Sequence, residues 1–271
     1  MINIDCIVLP GGCFFMGASD GPHREDGEGP IRRVWVDKFK ISKTAISNSD
    51  FRDFVQATNY KTLAEEIGRS FVFFQFLDFP DDYEMSFQTP IWRSVPGACW
   101  SAPEGPGSNV SERLNHPVVH ISLRDALAFS DWCNVRLLSE AEWEYACKAG
   151  TETAYSFGED KGELSKHSWH LGNSRFKYQK IGQKPANPWG LHDMHGNVWE
   201  WVLDQYVPPG ESAFKGLVEN PLVAPNTLYP RLVKGGSWDD GSSKHRSAAR
   251  MGSNEAWKQQ DPQIPKSVWY H

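Results

Sequence analysis

The segment GLHDMHGNVWEWV, residues 190–202, sets two carboxylates, Asp193 and Glu200, on either side of a glycine. Both are hard anionic oxygen donors. Gly196 permits a turn that aims carbonyls inward, its own and that of Val198. Calcium takes about six to eight oxygens from carboxylates, carbonyls and water in a flexible geometry, and this one loop would supply much of such a shell. Trp199 and Trp201 would then pack the loop onto a core. The same residues allow a plainer arrangement, in which Asp193 caps a turn and Glu200 pairs with an arginine.

Other candidate sites carry less. His116 and His120 would face one side of an extended segment, which allows a zinc pair, although packing explains the run as well. His167 with His170, and His192 with His195, lack a clustered third ligand and read as surface residues. No GxGxxG, Walker loop, HExxH or GxSxG occurs. The cysteines Cys6, Cys13, Cys99, Cys133 and Cys147 are odd in number and irregularly spaced, without CxxC. That pattern favours buried free thiols in a reducing compartment over a disulfide framework.

The elements that must position these residues read as follows. Among 271 residues, 12 Trp, 23 Gly and 18 Pro suggest a loop-rich body held by aromatic clusters rather than a helix bundle. The net charge of −6 gives no basic footprint for nucleic acid. No apolar run approaches the roughly 20 residues of a membrane span. The opening MINIDCIVLPGG lacks the form of a signal peptide, so the expected location is cytoplasmic.

Residues 6–46 read as strands and turns, with IRRVWVDKFKIS alternating at period two and SDGPHREDGEGP as a polar loop without a packing signal. Three helices announce themselves by capping boxes: Ser47 with Asp50, Ser122 with Asp125, and Ser139 with Glu142, the last stopped by Gly150. FVFFQFLDF reads as strand or buried loop, and HPVVHIS as extended. From Thr151 onward turns dominate, with one short apolar strand at RLVKGGSW. With no repeat and no linker, one domain over residues 1–271 is the simplest organisation.

Four segments in order, RLLSEAEWEYACKAG, NPWGLHDMHGNVWEWV, RLVKGGSWDD and HRSAAR, resemble the formylglycine-generating enzyme family, also called the sulfatase-modifying-factor family. GGCFFMGA with DGEGPIRRV, and LNHPVVHIS, fit as well, so the likeness covers most of the chain. The resemblance implies an α+β fold, a variant of the C-type lectin architecture, poor in regular structure and stabilised by calcium. It implies calcium ligands at Asp193 (often Asn in the family), the carbonyls of Gly196 and Val198, and Glu200. A second family calcium set uses an Asn, an adjoining carbonyl and a downstream Asp-Gly-aromatic. Asn173 and Ser174 match its first part, but no such Asp precedes Asn187. Family domains usually close with a G-F-R strand, whereas this chain reads RMGSNEAWKQQDPQIPKSVWYH, so that strand is expected to be absent.

Family oxidases bind copper through two cysteines just after the G-G-S segment. Here that segment is GGSWDDGSSKHRSAAR, residues 235–250, and none of the five cysteines falls in it. Soft thiolates suit Cu(I), so their replacement removes the copper site itself and leaves another redox metal open. Cys147 matches a family position used for structure. Ser237 and Trp199 correspond to pocket residues, and Trp238, Asp239, Asp240, His245 and Arg246 stand around them. Asp239 or Asp240 can serve as acid/base or hard-metal ligand with His245 as partner, or the two can simply cap a turn before Gly241. Two functions follow. One is a divergent oxidoreductase or maturation factor, resembling the pyoverdine-maturation protein PvdO, acting on a peptidic or small-molecule substrate. The other is a non-catalytic lectin-like module recognising peptide or glycan, as in the family's oxidase-inactive paralogue. In the latter, FVFFQFLDFPDDYEMSFQTPIWRSV would help shape a groove. The sulfoxide-synthase branch takes its iron histidines largely from an added helical bundle absent here. Oligomeric state is not readable.

Overall fold

The computed structural model describes residues 4–19, 21–86, 91–207, 216–227 and 230–253. The segment after Ser253, where the closing strand was expected to be absent, lies outside the described residues. The regular elements, in chain order, are β1 (Cys6–Leu9), β2 (Gly12–Met16), β3 (Arg32–Val36), β4 (Phe39–Ser42), α1 (Asn48–Thr58), α2 (Leu63–Ile67), β5 (Arg69–Phe73), β6 (Glu84–Met85), β7 (Trp92–Pro96), α3 (Leu123–Cys133), α4 (Glu140–Lys148), α5 (Leu164–His167), β8 (Glu200–Gln205), β9 (Val218–Glu219), β10 (Arg231–Lys234) and β11 (Arg250–Gly252). The fold is mixed α and β, with few helices and small sheets. Among the described residues no helix is long and apolar enough to cross a membrane. The chain divides into two compact units. The first contains residues 46–136 and the second residues 4–45 with 137–253, each with short stretches outside the described residues.

In the first unit, Ser47 and Asp50 cap α1 reciprocally, at 3.2 Å from the Asp50 N–H to Ser47 Oγ and 3.0 Å from the Ser47 N–H to Asp50 Oδ2. Ser122 and Asp125 do the same for α3. The caps satisfy helix-end N–H groups that would otherwise be buried unpaired. Thr62 and Glu65 form a third box at α2, a helix of five residues and too short for periodicity to reveal. The helices bury rings against each other. Phe51 stacks on Phe129 at 5.9 Å, and Phe54 meets Phe129 edge-on at 5.7 Å. Trp100 lies 5.3 Å from Phe51. The FVF run becomes β5, paired antiparallel to β7 with Phe73 opposite Trp92, and buried from Ser70 to Phe73. The HPVVHIS segment is extended only as far as a bridge between Ser47 and Pro117. His120 adopts a left-handed φ of 60° and binds Ser70 Oγ at 2.7 Å, so the two histidines of that run do not share a strand face.

In the second unit, β1 pairs with β4 and β2 with β3, both antiparallel, and β9 runs parallel to β3. The alternation in β3 is the period-two pattern realised: Val34 and Val36 are buried, Arg33 and Trp35 exposed. All nine residues of α4 are buried. Its Trp143, Tyr145 and Cys147 share a core with Leu9, Met16, Val34, Val36, Ile41, Val202 and Leu232. The helix ends with Ala149 in the left-handed region, one residue before the glycine read as its stop. A third sheet of this unit, ordered β11-β10-β8, brings Glu200 opposite Lys234. Strand β8 was not anticipated, because its first residues read as an ion-binding loop.

Two expectations are corrected. Cys6 and Cys13 are exposed rather than buried, because they point to the outer side of β1 and β2. The polar loop 19–30 has a packing role: Glu28 is 3% exposed and lies against the Arg246 guanidinium.

Candidate ion turn and pocket segment

The turn leading into β8 carries the oxygens singled out in the sequence. Asp193 has a left-handed φ of 58° and is buried. Its Oδ2 accepts the Gly182 N–H at 2.7 Å, while its Oδ1 is buried with no hydrogen-bond partner. Glu200 Oε2 accepts the Trp143 indole N–H at 2.7 Å, not an arginine. Burial first, and then the charge of Asp193, push the Glu200 carboxyl up to about 7 despite that bond. Burial also raises Asp193. The charge of Asp193 raises the cost of a charge on Glu200, His192 and Lys184 draw Asp193 only partly back, and one buried Asp193 oxygen is without a partner. Gly196, at φ 153°, is required sterically: a Cβ there would lie 2.5 Å from Trp169 O. Its carbonyl accepts the Val198 N–H at 2.9 Å and keeps a second lone pair. The donor set therefore fits a hard divalent cation, with Asp193, Gly196, Val198 and Glu200 able to hold it.

The second set lacks a carboxylate. Asn173 Oδ1 accepts the His170 N–H at 2.9 Å, and Ser174 O accepts the Gln179 side-chain amide at 2.7 Å. Each of these oxygens accepts an N–H, and no Asp between residues 175 and 186 supplies the carboxylate such a set needs.

The segment after β10 closes on itself. Asp240 Oδ2 accepts Ser237 Oγ at 2.6 Å, the Ser237 N–H at 2.9 Å and the Trp199 indole N–H at 2.8 Å. The Asp240 N–H returns to Ser237 O at 3.0 Å. Trp199 and Trp238 are 1% exposed, and Asp239 and Asp240 half-buried. His245 is fully buried, with Nδ1 2.9 Å from Gly241 O and Nε2 3.1 Å from Ser237 O. Burial lowers its pKa against the pull of Asp240. The structure thus brings Ser237, Asp240 and Trp199 together and turns the His245 ring onto main-chain oxygens. Arg246 points elsewhere, its Nη2 2.6 Å from Glu28 Oε2 and its Nε donating to Ser243 O at 3.0 Å. Two further contacts tie the same segments: His23 Nε2 to Ser243 Oγ at 2.8 Å, and Lys244 Nζ to Asp26.

His195, read as a surface residue, is 4% exposed. The Ser156 N–H donates to its Nε2 at 3.0 Å, which assigns the proton to Nδ1, and Nδ1 donates to His245 O at 2.7 Å. Burial pushes its pKa down to about 4. It is buried because a neutral imidazole links two loops whose main-chain groups need partners. Cys147 lies 3.5 Å from Ser247 Oγ, and burial pushes its thiol up to about 12, away from reactivity.

Sequence reasoning missed Glu28, Gln179 and Asn197. Asn197 is fully buried at φ 69° between two candidate ion ligands. Its side chain accepts the Gln179 N–H at 2.8 Å and donates to Gln179 O at 3.1 Å. The Gly-Asn pair within HGNVW was the available signal, since Asn tolerates the left-handed region.

The HGNVWEW turn feeding β8, the glycine-rich exit from β10 and the small-sheet α+β fold define the class, and comparison with known proteins agrees on the family and the fold. Residues 3–262 match the sulfatase-modifying factor enzyme 1-like domain, and the chain belongs to that family. It is 38% identical over 268 residues to the formylglycine-generating enzyme of Thermomonospora curvata, covering 90% of this chain and 86% of that protein. It is 37% identical over 270 residues to the inactive C-alpha-formylglycine-generating enzyme 2 of Mus musculus, covering 91% and 80%. Among solved structures, PvdO from Pseudomonas aeruginosa superposes with a TM-score of 0.67 at 24% identity over 92% of this chain and 87% of that one, a likeness of fold.

Proposed function

We propose that this chain is a non-oxidising member of its family: a binding module for a peptide or glycan, braced by a divalent cation and without copper-cysteine chemistry. The carrying observation is the segment Ser237–Arg246, which contains no sulfur. Four of its ionisable groups are engaged internally, Asp240 with Ser237 and Trp199, Lys244 with Asp26, the His245 ring between the carbonyls of Gly241 and Ser237, and Arg246 with Glu28. An acid/base residue must reach a substrate proton, and these groups are committed to the fold. Similarity to the inactive mouse protein supports the same reading.

For recognition, the aromatic stretch of the first unit offers exposed apolar side chains, Phe79 at 72% and Met85 at 56%. Such groups supply contact area for a peptide. The cation, held by Asp193 and Glu200 with the carbonyls of Gly196 and Val198, would supply charge neutralisation at the head of β8.

The test pairs a peptide and glycan array with an oxygen electrode. Saturable binding that falls at least about tenfold in Phe79→Ser, with no oxygen uptake on cysteine peptides under copper, is the expected result. The competing reading is a divergent oxidoreductase on a small or peptidic substrate, as the family's enzymes suggest. The half-burial of Asp239 and Asp240 favours it. Substrate-dependent oxygen consumption lost in Asp240→Asn would establish that reading and end ours.

A further inference from the structure

The loop 173–179 stands where the family resemblance places a second cation, and its hydrogen bonds show what stands there instead. The Gln179 side-chain amide donates to Ser174 O at 2.7 Å and to Lys177 O at 3.2 Å, so one nitrogen gathers two carbonyls as a cation would. Asn173 is likewise spent, accepting from the His170 N–H and donating to Ser165 O and Ser168 O. Arg175 and Phe176 both adopt left-handed φ values, 58° and 56°, the sharp turn that brings those carbonyls together. Ser174 is fully buried, and its Oγ donates to Trp238 O at 2.9 Å.

The main chain of this loop is also tied to the ion turn. Asn197 holds both the N–H and the carbonyl of Gln179, and Asp193 Oδ2 holds the Gly182 N–H. Asn197 lies between Gly196 and Val198, so whatever fixes those two carbonyls fixes Asn197.

We propose that this chain is a one-cation protein: the ion at Asp193 and Glu200 organises both loops through Asn197, and the amide of Gln179 replaces a second ion at the 173–179 turn. The inference rests on the cation reading above, and its test separates the two.

Calcium is titrated calorimetrically into chelator-stripped wild-type protein, and backbone hydrogen exchange is followed with and without calcium. One ion per chain is expected, with Gln179–Gly182 exchanging about tenfold faster after stripping. Gln179→Glu keeps the side chain's length but removes its donors. It should speed exchange at Arg175–Lys177 by about tenfold, while the Asp193 site still binds one ion. Binding of no ion overturns the cation reading and the one-ion count with it. Two ions in wild type would overturn this inference alone, as would unchanged exchange at Arg175–Lys177 in Gln179→Glu. Should that variant fail to fold, Asn197→Ala supplies the second arm: loss of the calcium-dependent protection at Gln179–Gly182 is expected, and its retention would overturn the coupling.

Discussion

The two units bury polar groups by opposite means. In the first, the interior is largely rings, and its buried carboxylate Asp125 belongs to a helix-capping box with Ser122. Asp125 also takes the Leu63 N–H at 3.1 Å and the Tyr60 hydroxyl at 3.0 Å. In the second, full charges sit inside. Lys234 is 0% exposed, 3.2 Å from Glu144 and 3.8 Å from Glu140. Lys148 reaches Glu144 at 3.4 Å, and Arg250 Nη2 reaches Glu140 at 3.0 Å. Burial alone would raise Glu144, but Lys234 and Lys148 hold it below its ordinary value. The lesson is that the second unit adds long-range charge pairing to its apolar core. Such pairing is weak as net stabilisation and severe when half of it is removed.

The largest effect should therefore come from Lys234→Met. It strands Glu144 and Glu140 beside fewer cations and should cost about 3–5 kcal/mol, read as a lower midpoint in urea. A loss below about 1 kcal/mol would show the charges to be screened, and the contrast between the units would collapse. Next is chelation. At a calcium concentration of about 100 times Kd, an ion bound only by the folded state adds about 2.7 kcal/mol, or roughly 5–10 °C in Tm. Stripped and loaded samples melting together, with no ion found by elemental analysis, would remove the ion from the account.

The same contrast explains what could be read from the sequence. Ser47, Ser122 and Ser139 each carry their partner three residues on, so α1, α3 and α4 were legible before any fold was known. The alternation of IRRVWV was legible for the same reason, since its period depends only on neighbours. Glu28 with Arg246, Gln179 with Asn197 and Lys234 with Glu144 are separated by long stretches of chain, and no local pattern announces them. The ion turn lay between these cases. Asp193, Gly196, Val198 and Glu200 are close in sequence, yet the orphaned Asp193 oxygen that argues for a cation appears only once the turn is folded. The pocket segment was legible in its lack of sulfur and opaque in part of its geometry, because Asp240 and Arg246 add to their neighbours Ser237 and Ser243 the distant partners Trp199 and Glu28.

A smaller effect concerns pH. Without a cation the Glu200 carboxyl sits near 7 because burial, and then Asp193, disfavour its charge. A carboxyl raised in the folded state holds its proton there longer than when unfolded. The stripped protein thus loses stability through this group as pH rises from its unfolded value toward 7. Cation binding needs both carboxylates ionised and must displace that proton, so affinity should fall as pH drops below about 7, by up to about tenfold per unit. The difference in Tm between loaded and stripped protein should accordingly be widest near pH 8 and shrink toward pH 5. A difference constant over that range would mean that Glu200 is not a ligand.

The smallest effect tests the first unit. Ser122→Ala removes the acceptor for the Asp125 N–H at 3.2 Å and the hydroxyl that donates to Asp125 Oδ2 at 2.7 Å. Asp125 keeps its bonds to Leu63 and Tyr60, and burial already raises its pKa. Because the damage stays within one turn of α3, the cost should be about 1 kcal/mol and indifferent to calcium. Measuring Ser122→Ala with and without the ion is thus the sharpest check on the contrast. An equal loss in both states marks a unit held by local caps and rings, whereas a loss that appeared only after stripping would tie those caps to the cation.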